Sequence, residues 1–164
     1  MFFSRLDLGS LNGIDAMRYA AERILLTIWV GGMWTVGYLV APTLFSVLTD
    51  RALAGSIAGR LFTVMSYVGL VSGGLLLLSV AMEDGKRLFS QWRGPVLVGM
   101  LLIICIGQFV LQPQMAALRD AGLTGANVSA FARLHGVASI LFLLNSVGGM
   151  ALVICGVRLP PSAR

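Results

Sequence analysis

Four long stretches without a charged residue constrain this chain more than any other feature of its sequence. They cover residues 24–49, 61–82, 94–118 and 134–157, and all 19 charged residues of the 164 lie outside them. About 20 apolar residues in a helix cross a hydrocarbon core of about 30 Å, whereas a barrel strand needs about 10 residues of alternating polarity. The stretches are long enough for helices and do not alternate. We therefore predict an all-α, integral membrane four-helix bundle with up-down topology.

The flanking charges set the predicted boundaries. Residues 1–23 contain Asp7, Asp15 and Glu22, which interrupt any apolar signal-peptide core, so we interpret them as an N-terminal tail with an interfacial helix. The transmembrane domain then covers residues 24–157. Its spans are expected at about 24–45, 61–82, 95–115 and 134–157, and residues 158–164 form a C-terminal tail.

Lys and Arg predict the orientation of the spans. The two termini and the loop between spans 2 and 3 hold eight of these residues, and the other two loops hold four. Because cytoplasmic loops are richer in Lys and Arg, we predict both termini in the cytoplasm and a bacterial inner-membrane location. The net charge of +5 suits contact with anionic membrane lipids as partners. The basic residues flank the spans and form no separate patch, so we expect no nucleic-acid partner.

Small residues four positions apart indicate where helices pack closely. Such pairs let two backbones approach and gain dispersion contacts that lipid does not provide. They occur on three of the predicted helices, as Gly37 and Ala41, Gly69 and Gly73, and Ala132 and Gly136. We predict a tight bundle from these pairs, and association with a second copy or a larger membrane complex.

His135 is the only histidine and lies at the start of the fourth stretch, near the predicted outer surface. Polar residues on spans 3 and 4 predict an outward-facing pocket or a set of interhelical tethers around it. Pro113 removes a backbone donor and leaves the carbonyl of Phe109 for another N–H group. The candidate residues are Gln108, Gln112, Pro113, Arg133, His135, Ser139 and Asn145.

The sequence favours no cofactor or metal and no catalytic residue. One histidine does not supply bis-histidine haem ligation, and the eight methionines are not clustered. Cys105 and Cys155 lie at depths too different for a disulfide, so we expect two free, buried thiols. No hydrolase, kinase or zinc-protease motif is present, and no carboxylate lies within a span.

The helix-1 segment IWVGGMWTVGYLVAP, the segment LQPQMA and the segment FARLHGVAS together resemble the transmembrane-protein-205-like family. The resemblance covers about residues 24 to 155, and bacterial members of the family form a domain of unknown function. Its most specific motif falls on Phe131, Arg133, His135, Gly136 and Ser139. Where relatives often have Glu-Pro or Val-Pro, this chain has Gln112-Pro113. The resemblance implies a four-helix integral membrane protein and no settled reaction.

Our leading functional hypothesis is a small non-catalytic membrane protein that acts by association with itself or a membrane complex. The alternative is a bundle that binds or conducts a small molecule or lipid around His135. In that alternative, Gln112, Arg133 and His135 hold an anionic or amphipathic molecule, with Arg133 as the counter-charge. A metal or haem accessory protein is the third hypothesis.

Overall fold

The structure, a computed structural model, describes residues 13–84, 89 and 92–155, and every regular element in that part is helical. Helix α1 is continuous and consists of α-helical Gly13–Leu26, Gly32–Trp34 and Ala41–Val47 joined by π-helical Thr27–Gly31 and Thr35–Val40. Helix α2 is Arg51–Asp84. Helix α3 consists of α-helical Arg93–Ile106, π-helical Gly107–Leu111 and α-helical Gln112–Asp120, and helix α4 is Ala126–Cys155.

All four helices are long and apolar enough to cross a membrane. Only 22–28% of the most apolar part of each helix is buried inside the protein, so most of the apolar surface faces outward. Such a surface is stable against lipid tails and unfavourable against water. The chain is therefore a multi-pass membrane protein with a four-helix bundle, as the uncharged stretches predict.

The helices extend beyond the uncharged stretches. The helix that contains the first stretch begins at Gly13, and residues 13–23 continue into it without a break. Glu22 was expected in the N-terminal tail, but its side chain is only 8% exposed within the bundle. Residues 1–12 and 156–164, and most of the loop between α2 and α3, lie outside the described residues.

Short polar or glycine-containing connections end and restart the helices. Asp50 accepts from the backbone N–H groups of Ala52 and Leu53 at 2.8 and 3.0 Å, which caps the start of α2. After α3, Gly122 has a φ of +84° and its N–H donates to the carbonyl of Arg119. A positive φ is accessible to glycine without strain, so the chain reverses there. We call the part of the bundle beside residues 48–50 and 121–125 the connection end.

The hydrophobic core fills the half of the bundle away from the connection end. It is centred on Trp29, which is 1% exposed, and receives side chains from all four helices. A side chain at Gly69 or Gly73 would collide with Trp29, since an added Cβ would lie 2.7 Å from the indole Nε1 and 2.9 Å from the ring, respectively. These two glycines therefore leave room for the close approach of α1 and α2.

The two cysteines are free, as predicted from their depths. Cys105 is half-buried, whereas Cys155 is exposed on α4. The expectation that both thiols are buried is therefore wrong for Cys155, because this face of α4 has no neighbouring helix in the described structure.

A buried ion pair joins three helices at the end opposite the connections. Arg93 Nη2 donates to Glu22 Oε2 at 3.1 Å, and Ser79 Oγ donates to Glu22 Oε1 at 2.9 Å. Both charged side chains are at least nine-tenths enclosed. Two further Arg93 nitrogens, Nε and Nη1, are enclosed without a partner, so Glu22 is the one carboxylate that compensates this guanidinium within the described residues.

We expect Glu22→Gln to lower the free energy of unfolding by about 3–5 kcal/mol, because it leaves a buried guanidinium without a counter-charge. Chemical unfolding in detergent micelles measures the change. The double variant Glu22→Gln, Arg93→Met is the control and should recover much of the loss. A single variant as stable as the wild type would show that the ion pair does not hold these helices.

Candidate functional site

A cavity of about 760 Å³ lies between the four helices at the connection end. Helices α1, α2, α3 and α4 all contribute to its wall. Small-molecule sites in proteins have volumes of about 300–1,000 Å³ and are mostly apolar with a few polar groups. The cavity has both properties, and we treat it as the candidate site.

The cavity opens sideways between α1 and α4. Every exposed residue in its wall belongs to these two helices, and the wall residues of α2 and α3 are buried or half-buried. The exposed set is Tyr38, Pro42, Phe45, His135, Ser139 and Leu143. Helix α4 packs on α1 mainly through the first part of α1, up to Gly31. Beyond mid-depth the two helices diverge, and the opening faces the surface that lipid would cover.

Aromatic rings form the middle of the cavity wall. The Phe142 ring makes edge-to-face contacts with Tyr38 and Phe62, at centroid distances of 5.5 and 5.7 Å. It lies directly over Gly37, where an added Cβ would collide with the ring. The absence of a side chain at Gly37 therefore lets the Phe142 ring pack against the backbone of α1. Ala41, one turn further along, lines the same cavity.

The π-helical segments bring polar residues into the cavity. Gln108 lies in the π segment of α3 and Tyr38 in the second π segment of α1, and both line the wall. A wider π turn rotates the side chains that follow it and is frequent at functional sites. Each of these two segments ends two residues before a proline, Pro42 or Pro113, whose missing N–H interrupts the helical hydrogen bonds.

Two side chains of α3 close the cavity against α2. Arg119 Nη1 donates to the carbonyl of Gly55 at 2.8 Å, and Gln112 Nε2 donates to the carbonyl of Gly59 at 3.3 Å. A Cβ at Gly59 would lie 2.9 Å from Arg119 Nη1 and 3.2 Å from Gln112 Nε2. The absence of a side chain at Gly59 therefore gives both groups access to the backbone of α2.

His135 is exposed at the edge of the opening. Its ring stacks on Phe131 with an interplanar angle of 6° and a centroid distance of 6.0 Å. Its carbonyl accepts from Ser139 Oγ at 2.9 Å, within the same helix. Within the part of the chain that the structure describes, the ring bonds no other helix, so this geometry does not make it an interhelical tether.

Asn145 lies at the deep end of the cavity and is 4% exposed. Its Nδ2 donates to the Met33 sulfur at 3.5 Å, which is a weak bond. Its Oδ1 is enclosed and has no partner. The neighbouring Ser146 accepts from the Tyr38 hydroxyl at 3.2 Å.

The other predicted site residues are elsewhere. Arg133 is exposed and lines a separate shallow depression with Gln114 and Leu134, so it does not share the cavity with Gln112 and His135. Pro113 is also exposed. In this turn, the side-chain amide of Gln114 donates from Nε2 to the carbonyl of Val110 at 2.9 Å. The predicted donor to Phe109 is not among the described bonds.

The third small-residue pair has no partner within the described chain. Ala132 and Gly136 lie on an exposed face of α4, and an added Cβ at Gly136 would meet no atom within 4 Å. The prediction that this pair packs two helices together therefore does not hold inside one chain. In the described residues, no group of three or more His, Cys, Asp or Glu side chains is arranged to hold a metal ion.

The family model for Domain of unknown function (DUF4149) matches residues 24–124. The chain belongs to this family. The match confirms the predicted membership of a domain family of unknown function. The more specific resemblance to the transmembrane-protein-205-like family stays an expectation. The matched segment covers most of α1 and all of α2 and α3, and it ends before α4, so His135 and Asn145 lie outside it. Neither a search of curated proteins nor a search of solved structures finds a match.

Sequence reasoning missed Arg119 in the cavity and the pair of Glu22 and Arg93. The signal for Arg119 was its position immediately after the third uncharged stretch, on the same helix as Gln108 and Gln112. Glu22 and Arg93 likewise lie within two positions of the starts of the first and third stretches. Opposite charges at adjacent ends of two spans indicate an ion pair once the spans are known to pack together.

We expect Asn145→Leu to raise the free energy of unfolding of the ligand-free protein by about 1–3 kcal/mol, because it removes an enclosed carbonyl oxygen that has no hydrogen-bond partner. Thermal unfolding of the delipidated protein in detergent measures this change. A less stable variant would show that the Asn145 side chain is satisfied in the native bundle, and would remove it from the candidate site.

Proposed function

We propose that this protein binds a lipid-soluble small molecule in the cavity between its four helices and admits it between α1 and α4. The function is non-catalytic. The lateral opening is the observation that carries the proposal. All exposed wall residues lie on α1 and α4, and they face the side of the bundle where lipid tails would be.

The wall chemistry supports a lipophilic ligand. Aromatic and methionine side chains, among them Trp29, Phe62 and Met65, provide large contact area, and few polar groups are present. Burying the apolar surface of a ligand there is favourable by roughly 25 cal/mol per Å² when the ligand comes from water. A ligand from the bilayer gains less, so the few polar groups must provide specificity.

Filling the cavity with a large side chain should strongly weaken the binding of a lipophilic ligand. We expect Ala138→Trp, in the cavity wall of α4, to weaken retention of lipophilic molecules by about tenfold or more, because the indole occupies the site. Ala132→Trp is the matched control, since Ala132 lies on the exposed face of the same helix. Native mass spectrometry of the gently extracted protein, with a fluorescent lipophilic probe, measures occupancy. Equal occupancy in the two variants and the wild type would contradict the proposal.

Self-association through Ala132 and Gly136 is the second proposal. The two residues form a small, exposed strip on α4 without a partner in the described chain, and such strips commonly pack against another membrane helix. The same two variants separate the proposals. Ala132→Trp should disrupt oligomers in membrane cross-linking and leave ligand retention intact. Ala138→Trp should weaken ligand retention and leave the oligomers intact.

We further propose an up-down arrangement in a bacterial inner membrane, with both termini in the cytoplasm and the connection end outward. The bias of Lys and Arg supports this orientation. The likeness to the transmembrane-protein-205 family remains part of this proposal. In a variant without native cysteines, Leu123→Cys should react with a membrane-impermeant maleimide added outside intact cells. Lys86→Cys should react only after the cells are lysed, and the opposite pattern would reverse the orientation.

A further inference from the structure

We infer that the ligand of the cavity is a single-chain amphiphile with one carboxylate head group, and that Arg119 binds this carboxylate. The inference rests on the proposed function, because it names the chemical class of the molecule that the cavity accepts. Arg119, and not the predicted Arg133, is the one Lys or Arg residue in the cavity wall among the described residues.

The Arg119 guanidinium has donors to spare. A guanidinium carries five N–H donors, and one is used by the carbonyl of Gly55. The Nε and Nη2 atoms are neither enclosed nor hydrogen-bonded within the described part of the chain. In Arg93, by contrast, the spare nitrogens are enclosed and out of reach of a ligand.

No carboxylate of the described chain neutralises Arg119. The acidic residues nearest in the sequence to Arg119 and to its partner Gly55 are Asp120 and Asp50. The Asp50 side chain accepts from two backbone N–H groups at the start of α2, and Asp120 is exposed. The buried carboxylate of Glu22 pairs with Arg93 at the opposite end of the bundle. A half-buried cation beside an apolar cavity is stabilised by an anion, because few polar groups there can replace water.

The charge balance favours a carboxylate over a phosphate. A guanidinium fits a carboxylate with two parallel N–H···O bonds, and the two charges cancel. A phosphate monoester carries about −1.5 to −2 charges at pH 7, which one arginine leaves partly uncompensated. The remaining wall is mostly apolar, with Phe62, Met65 and Trp29 among its residues, and suits one long hydrocarbon chain.

The absence of a side chain at Gly59 leaves room for the Arg119 guanidinium in its binding position. Arg119 Nη1 and Nη2 would lie 2.9 and 3.2 Å from a Cβ at this position. Gly59→Ala should therefore displace the charge without removing it. Gly74→Ala is the matched control on the same helix, since a Cβ there would meet no atom within 4 Å.

The experiment compares palmitate with hexadecanol, which has the same chain length and no charge, by titration of the full-length protein in lipid nanodiscs. We expect palmitate to bind the wild type about tenfold more tightly than hexadecanol, as a charge-assisted hydrogen bond provides. Arg119→Gln and Gly59→Ala should both lose this preference, and Gly74→Ala should keep it.

The outcomes separate the two proposals. Equal binding of palmitate and hexadecanol to the wild type would overturn the carboxylate inference and leave the lipophilic cavity standing. Binding of neither would overturn both. A preference for palmitate that survives in Arg119→Gln would assign the head group to another residue and overturn the inference. Tighter binding of hexadecyl phosphate than of palmitate would overturn the choice of carboxylate.

Discussion

The contact between the Trp29 indole and the two glycines of α2 sets the shape on which the cavity depends. Gly69 and Gly73 let α2 come close enough for the indole to fill the space between α1, α2 and α3. The same core cluster also includes Leu97 and Leu152, so side chains of all four helices meet there. Helices that are held together at one level and cross at an angle separate with distance from it. The cavity occupies the half where they have separated.

The polar groups of the bundle fall into two arrangements with different consequences. Glu22 and Arg93 neutralise one another inside the packed half, and their ion pair joins α1 to α3. Arg119 and Gln112 instead donate to backbone carbonyls of α2, and both residues line the cavity. A buried pair of opposite charges is satisfied within the protein, whereas a single charge beside an apolar space recruits its partner from outside. This difference is why we assign a structural part to the first pair and a ligand to Arg119.

The sequence predicted the helices well because lipid removes alternatives. A segment of more than 20 uncharged residues has few stable choices in hydrocarbon besides a helix, so the four stretches predict four helices directly. The tight approach at Gly69 and Gly73 also follows from residue size. The positions of side chains around the cavity do not follow, because they depend on rotation of each helix. The π turns before Pro42 and Pro113 change that rotation in α1 and α3. Arg119 on α3 lines the cavity, where it was not predicted, and Arg133 on α4 lies outside it.

The opening between α1 and α4 has a consequence for how occupancy is controlled. A ligand that enters through it never passes through bulk water, so its concentration is set by its mole fraction among the lipids. Occupancy then rises when the bilayer becomes richer in that molecule, even when its dissolved concentration is negligible. The lipids themselves compete for the same space, and membrane composition becomes the variable that loads or empties the protein.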